Sequence, residues 1–357
     1  MKEAGSGDFN HVAVEEVETL AGGAPQAGSR GKKEAKRMHD ILKQIGDLGI
    51  VPVVVINDAA AAVSLGEALC TGGLPCAEVT FRTAAAEESI RRMASALPHM
   101  LVGAGTVLTV EQVDRAVAAG ARFIVSPGFN PAVVKHCLDR GVLVTPGVGT
   151  PTEIEMALGF GLAAVKFFPA ESLGGLAMLK AISAPYGMLR FIPTGGINAE
   201  NLGIYLAFPK VLACGGSWMV KPDLIDAGNF TEITRLTREA VQAMLGFGLA
   251  HVGLNADGAD EALAVARQLS VLFGFPTKEG NSSNFVGTAL EIVKGGGRGT
   301  YGHLAMQTNN IQRAIAYLTR QGYAVDPASA KETEGVPTAI YLTDEIGGFA
   351  VHLLQKK

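Results

Sequence analysis

Short apolar runs recur along the chain at a nearly constant interval. They start at Val51 (VPVVVI), Ala77 (AEVTF), Leu101 (LVGAGT), Arg122 (RFIVSP), Val142 (VLVTP), Ala163 (AAVKFFP), Leu189 (LRFIPTGG) and Val211 (VLACGGSW), with successive starts 26, 24, 21, 20, 21, 26 and 22 residues apart. The runs are continuously apolar rather than alternating, as parallel strands covered on both faces are. Stretches between them, such as 111–119 and 153–159, place Ala, Val, Ile and Leu at helical spacing. Eight strands with short helical crossovers predict an α/β fold, the (β/α)8 TIM barrel. The competing architecture is an open doubly wound sheet. Eight near-equal units close naturally, and no Gly-x-Gly-x-x-Gly follows the first run.

The flanks differ. Residues 1–35 are rich in Gly, Ala, Ser and Glu, with Phe9 the single aromatic, so they are expected to form a mobile tail. An amphipathic helix (Met38, Ile41, Leu42, Ile45) then leads into the barrel, which spans 36–246. A helix carrying Ile233, Leu236, Ala240 and Met244 ends at Gly246, and Gly246-Phe247-Gly248 is a short joint. Residues 247–357 read as two copies of a strand-helix-strand-strand-strand unit, a smaller α+β domain. The first copy opens at 249–255, has its helix over 260–273 and closes at 289–293. The second opens at 302–306, has its helix over 311–320 and closes at 349–354.

Composition narrows the function classes. The 357 residues are 48% hydrophobic and 18% charged, with a formal net charge of -4, and the one basic block runs from Lys32 to Arg37. That leaves no electrostatic footprint for nucleic acid. No apolar run reaches the ~18 residues of a membrane span, and the first residues include acidic ones rather than a basic then apolar leader. Cys70, Cys76, Cys137 and Cys214 show no CxxC spacing, which fits reduced thiols and a cytoplasmic protein.

The candidate chemistry centres on Lys166, inside the run AAVKFFP. Apolar neighbours on both sides and Pro169 beyond describe a buried strand carrying one amine. Burial strips hydration from an ammonium group and favours the neutral, nucleophilic amine from which Schiff-base lysines are made. The alternative is a strand-end lysine whose head snorkels to water. In barrels the chemistry gathers at the carboxyl ends of the strands. Those ends carry Glu78-Val79-Thr80-Phe81-Arg82, Gly103-Ala104-Gly105-Thr106, Ser126-Pro127-Gly128, Thr145-Pro146-Gly147, Lys166, Thr194-Gly195-Gly196 and Gly215-Gly216-Ser217. Alternation puts Glu78, Thr80 and Arg82 on one face of the second strand; if that face is the barrel interior, a carboxylate and a guanidinium come within reach of the amine. A purely structural ion-pair cluster is the competing reading. Glycines after the seventh and eighth strands suit a phosphate held on backbone N–H groups.

The motifs EVTFRT, GAGTVL, VSPGFNP, TPG-x-x-TPTE, VKFFPAE, PTGGIN and GGSWMV, in this order over about 38–245, resemble the 2-keto-3-deoxy-6-phosphogluconate and 4-hydroxy-2-oxoglutarate aldolases. Phe81 stands where that family commonly has leucine. The resemblance implies that Lys166 is the Schiff-base lysine and Glu78 a general acid/base working through a bound water. It implies that Arg82 and Thr106 bind the substrate carboxylate, and that Pro127 and Phe168 pack on the keto-acid carbons. Thr194, Gly195, Gly196 and Ser217 would receive the distal phosphate. It further implies a small-molecule keto-acid substrate, no cofactor for the aldolase reaction, and a homotrimer.

Each opening strand of the C-terminal repeat carries a histidine, His251 or His303, and each closing strand a possible ligand, Glu291 or His352. Such repeats resemble the vicinal-oxygen-chelate superfamily of glyoxalases and extradiol dioxygenases, which implies a divalent metal at these positions. The second closing ligand is usually glutamate there, whereas this chain has His352. Three imidazoles and one carboxylate suit zinc, nickel, cobalt or iron(II). A metal-free module is the alternative. Two rival functions follow: a metal-dependent isomerase or lyase centred on this domain with the barrel as support, or a non-catalytic binding module appended to an aldolase.

Overall fold

The computed structural model describes residues 29–356, in two compact units that divide between Met244 and Leu245. Residues 1–28, where most of the expected mobile tail falls, lie outside the described residues. Residues 29–35, expected in the same tail, are instead the first turns of helix α1 (Ser29–Leu48). Lys32, Lys33, Glu34, Ala35, Lys36 and Arg37 are good helix formers. The helix is fastened by the Arg37 guanidinium donating to the Gly141 carbonyl at 2.5 Å. It buries Ile41, Ile45 and Leu48.

The barrel strands are β1 (Ile50–Val54), β2 (Cys76–Thr80), β3 (Leu101–Gly105), β4 (Phe123–Val125), β5 (Leu143–Thr145), β6 (Gly147–Val148), β7 (Ala164–Phe167), β8 (Arg190–Pro193) and β9 (Cys214–Gly216). All pair in parallel, in the orders β5-β4-β3-β2-β1-β9 and β6-β7-β8. β5 and β6 are one barrel strand interrupted at Pro146, which has no N–H for the ladder. Its carbonyl still accepts from Lys166 N at 2.9 Å. At the other junction, isolated bridges Phe191–Val211 and Thr194–Gly215 join β8 to the β9 segment. The ring closes as a TIM barrel of eight strand positions, which excludes the open sheet. β1 to β7 are buried along their whole length, as continuous apolar runs require.

Gly147 marks the strand interruption, where two backbone segments nearly touch. A Cβ there would lie 2.0 Å from the Pro127 carbonyl oxygen, an atom that no side-chain rotation can move. Gly147→Ala is expected to destabilise the barrel by about 1–3 kcal/mol through overpacking. Urea unfolding followed by the fluorescence of Trp218, the single tryptophan, checks this; an unchanged midpoint refutes it.

The C-terminal unit has β10 (Gly248–Ala256), helix α2 (Ala259–Phe273), β11 (Thr277–Glu279), β12 (Ser283–Val286) and β13 (Leu290–Lys294). There follow β14 (Gly302–Thr308), helix α3 (Ile311–Arg320), β15 (Val325–Thr333), β16 (Val336–Leu342) and β17 (Phe349–Gln355). This is strand-helix-strand-strand-strand twice. One eight-stranded sheet results, ordered β11-β12-β13-β10-β14-β17-β16-β15, so each half is the mirror order of the other about the antiparallel β10–β14 pair. Ala262 and Ala266 of α2 pack on Val286 and Ile292. Glu291 is adjacent to Ile292 on the same strand, so alternation sends it to the face away from that helix.

No helix among the described residues is long and apolar enough to cross a membrane. Cys76, Cys137 and Cys214 are buried, Cys70 is half-buried, and none is in a disulfide among the described residues.

Candidate functional site

Within the barrel, β2 and β7 bring the two groups of greatest chemical interest together. Lys166 Nζ lies 3.2 Å from Glu78 Oε1, with the side chains only 7% and 4% exposed. In so dry a place each of these polar groups is tolerated because the other hydrogen bonds to it. The register explains the approach: Lys166 pairs with Gly147 and Ile192, while Glu78 pairs with Val53 and Gly103. Gly105 leaves the space that the carboxylate fills, since a Cβ there would meet Glu78 Oε1 at 2.2 Å. The Phe168 ring centroid is 5.2 Å from Lys166 Nζ, within cation–π range. A cavity of about 10 Å3 beside the pair, lined among others by Thr145, Ile192 and Thr194, has room for about one water.

The expected one-face alignment of Glu78, Thr80 and Arg82 holds only in part. β2 ends at Thr80, whose hydroxyl donates to the Val54 carbonyl at 2.8 Å. Arg82 follows in a turn and is exposed. The strand alternation therefore stops short of it. Its Nε donates to Thr106 Oγ1 at 3.3 Å, so the two residues assigned to a carboxylate do meet. Thr106 has φ +55, an uncommon value for a β-branched residue and one that marks a position under constraint.

Thr194 is buried, and the turn after it has Gly195 at φ +96 and Gly196 at φ +84, values that favour glycine. Gly215 in turn makes room for Thr194, whose Oγ1 would be 2.3 Å from a Cβ at that position. Ser217 follows β9 directly and is exposed. Pro127 follows β4 across from Gly147. Sequence reasoning gave no role to Tyr205, a buried phenol that donates to Glu171 Oε1 next to this turn. The sole sequence signal was the acidic residue closing VKFFPAE.

In the C-terminal unit, four residues from four adjacent central strands converge: Glu291 (β13), His251 (β10), His303 (β14) and His352 (β17). His251 Nε2 is 2.9 Å from Glu291 Oε2 and 3.1 Å from His303 Nε2, which is itself 3.2 Å from Glu291 Oε2. One ligand atom of each of the three histidines lies within 4.8 Å of the others. A metal about 2.1 Å from each donor sets neighbouring donors ~3.0–3.4 Å apart, close to the spacing of His251, His303 and Glu291, with His352 farther off. His352 Nε2 is buried without a hydrogen-bond partner among the described residues, an orphan atom that a metal would satisfy. Burial, then the neighbouring His303 and His251, pulls His352 down to about 4, so near neutral pH its ring is uncharged with a lone pair to offer. Hydrogen bonds from His251 and His303 hold the Glu291 carboxyl well below the usual carboxylate range. Gly253 is needed beneath this cluster, because a Cβ there would meet His303 Cε1 at 2.0 Å. Tyr341 stacks on His352 with centroids 4.6 Å apart and planes 13° apart, and Ser283 donates to Glu291 Oε1 at 2.6 Å.

The barrel has well-characterised counterparts. The aldolase family described as KDPG and KHG aldolase matches residues 41–236. The 2-dehydro-3-deoxy-phosphogluconate aldolase of Treponema pallidum is 53% identical over 205 residues, which are 57% of this chain and 98% of that protein. The KDPG aldolase of Legionella pneumophila, solved with pyruvate captured at low pH as a covalent carbinolamine intermediate, is 39% identical with a TM-score of 0.54, covering 56% of this chain and 97% of its own. The 2-keto-3-deoxy-6-phosphogluconate aldolase of Zymomonas mobilis ZM4, solved with 3-phosphoglycerate, is 40% identical with a TM-score of 0.52, covering 57% and 94%. A buried lysine–glutamate pair at the heart of a closed barrel, matched along nearly the whole length of such enzymes, leaves one conclusion: through residues 41–236 this chain belongs to the KDPG and KHG aldolase family.

Proposed function

We propose that the protein is a class I aldolase that cleaves 2-keto-3-deoxy-6-phosphogluconate to pyruvate and glyceraldehyde 3-phosphate, and 4-hydroxy-2-oxoglutarate to pyruvate and glyoxylate. The observation that carries this reading is the buried Lys166–Glu78 contact of 3.2 Å. The Lys166 amine adds to the C2 ketone of the substrate, and Glu78 moves the protons that convert the carbinolamine to an iminium and expel water. The iminium withdraws electrons from C3. As Glu78 takes the proton of the C4 hydroxyl, the C3–C4 bond breaks, an aldehyde departs and the enamine of pyruvate remains on Lys166. Protonation at C3 and addition of water return the free amine and pyruvate. The iminium is the electron sink here, so none of these steps calls on a cofactor.

Arg82 and Thr106, already hydrogen bonded to each other, are assigned to the substrate carboxylate. Pro127 and Phe168 pack on the keto-acid carbons, and Thr194, Gly195, Gly196 and Ser217 take the phosphate. A homotrimer in the cytoplasm completes the reading; mass photometry tests the assembly. Incubation with pyruvate and borohydride, followed by peptide mass spectrometry, tests the chemistry. A reduced pyruvyl adduct on Lys166 is expected, and its absence from folded protein refutes the reading.

A second reading concerns the C-terminal unit, favoured by the orphaned, uncharged His352 beside three donors at metal-ligand spacing. His251, Glu291, His303 and His352 bind one divalent ion of the zinc, nickel, cobalt or iron(II) group. Such an ion would supply Lewis acidity at this sheet, independently of the barrel. Elemental analysis of the whole protein is expected to find about one such ion per chain, and His303→Ala to lose it. Equal metal content in the two proteins removes this reading.

A further inference from the structure

One hydrogen bond near the barrel mouth takes no part in the reaction above. Tyr205, on a short helical segment at 202–206, is 2% exposed, and its hydroxyl donates to Glu171 Oε1. Burial first, then that carboxylate, pushes the phenol above its ordinary range, so it stays a proton donor. Glu171 lies in the turn that follows β7, and its backbone is tied to the turn after β8. Ala170 N donates to the Thr194 carbonyl at 2.8 Å, and Glu171 N to the Gly195 carbonyl at 3.0 Å. The Glu171 side chain also lies directly against the turn: a Cβ on Gly196 would be 2.5 Å from Glu171 Cγ and 2.6 Å from its Cβ.

A turn of two glycines has no side chains with which to fix itself, and glycine has the greatest backbone freedom of any residue. Its position depends on what it leans on: Pro169 and Phe168 lie against Gly195, the Asn201 amide donates to the Gly196 carbonyl at 3.0 Å, and Glu171 lies under Gly196. A glutamate side chain is itself costly to immobilise. The Tyr205 hydroxyl supplies the restraint, by a hydrogen bond to a charged acceptor, a stronger class than the neutral kind. It also keeps the carboxylate turned toward the phenol. Released, that carboxylate could swing toward the turn and repel an anion there.

We propose that Tyr205 is a positioning residue that holds Glu171 as a strut under the Thr194–Gly196 turn, preforming it for a phosphoryl group and setting the preference for phosphorylated over non-phosphorylated keto acids. The proposal rests on the aldolase reading and adds to it a determinant of substrate choice that touches neither substrate nor the reacting atoms.

The test is Tyr205→Phe in the full-length chain, which keeps the buried ring and removes only the hydroxyl. KM for 2-keto-3-deoxy-6-phosphogluconate is expected to rise about tenfold, the size of effect of a lost hydrogen bond to a charged group, with kcat nearly unchanged. Exchange of pyruvate methyl protons with D2O requires Lys166 and Glu78 but no phosphate, so it is expected to stay at the wild-type rate. Glu171→Gln leaves Tyr205 a weaker, neutral acceptor but carries no charge to repel an anion, so KM is expected to rise by less than in Tyr205→Phe. A parallel loss of exchange and cleavage in Tyr205→Phe, an unchanged KM, or a Glu171→Gln variant as impaired as Tyr205→Phe each overturns the strut. A wild-type protein that forms no pyruvate adduct at all brings down the aldolase reading, and the strut with it.

Discussion

Lys166→Met is expected to abolish cleavage of both keto-acid substrates and to leave no borohydride-trapped pyruvate on the protein. Methionine keeps the unbranched shape and the apolar contacts of a residue that is 5% exposed, while removing the one atom able to form the iminium. Without that electron sink, breaking C3–C4 would leave an unstabilised carbanion, so the loss should be complete within the assay rather than partial. Removing one member of a buried ion pair also leaves the other uncompensated, at ~3–5 kcal/mol if it stays charged. Circular dichroism should therefore report a folded protein of reduced stability. Normal turnover in this variant would falsify the assignment of Lys166, and would direct attention to the four-ligand cluster of the C-terminal unit.

Glu78→Gln is expected to lower kcat by about 10²–10⁴, the usual range for a positioned general acid/base. Glutamine has almost the same volume, so it fits the space that Gly105 leaves and keeps a carbonyl oxygen near Lys166. It cannot carry protons between the amine, the carbinolamine and water. The adduct with pyruvate should still form, more slowly, so the time course of borohydride trapping separates this variant from Lys166→Met, which traps nothing. An adduct formed at the wild-type rate, with kcat within a few-fold of normal, would mean that the protons travel by another route.

The barrel was legible because its signal is periodic. Eight apolar runs at near-equal spacing admit few architectures, and the observed strands begin within a residue or two of seven of the eight runs. In the eighth, VLACGGSW, Val211 makes only an isolated bridge and the strand proper starts at Cys214. The fifth run, VLVTP, stops at Pro146, and the strand's continuation at Gly147–Val148 carried no apolar signal long enough to read. Composition misled at the N-terminus. A polar, aromatic-poor stretch suggested disorder for 29–35, whereas its helix is held through Arg37 by a carbonyl 104 residues away, a partner no local pattern reveals. The C-terminal repeat exposed its possible ligands because duplication places them at equivalent strands. Tyr205 stayed invisible because its role depends on a contact 34 residues distant.

The barrel strands form two arcs, one of six and one of three, and the Lys166–Glu78 contact is made by a strand from each. Neither arc alone holds both groups. Because the pair is separated by 88 positions in sequence, its encounter carries a large loop-closure cost that only late, non-local contacts repay. Catalytic competence should thus be among the last properties acquired on refolding, lagging behind helix content. In a folding experiment, the return of adduct formation would then serve as a clock for ring closure itself.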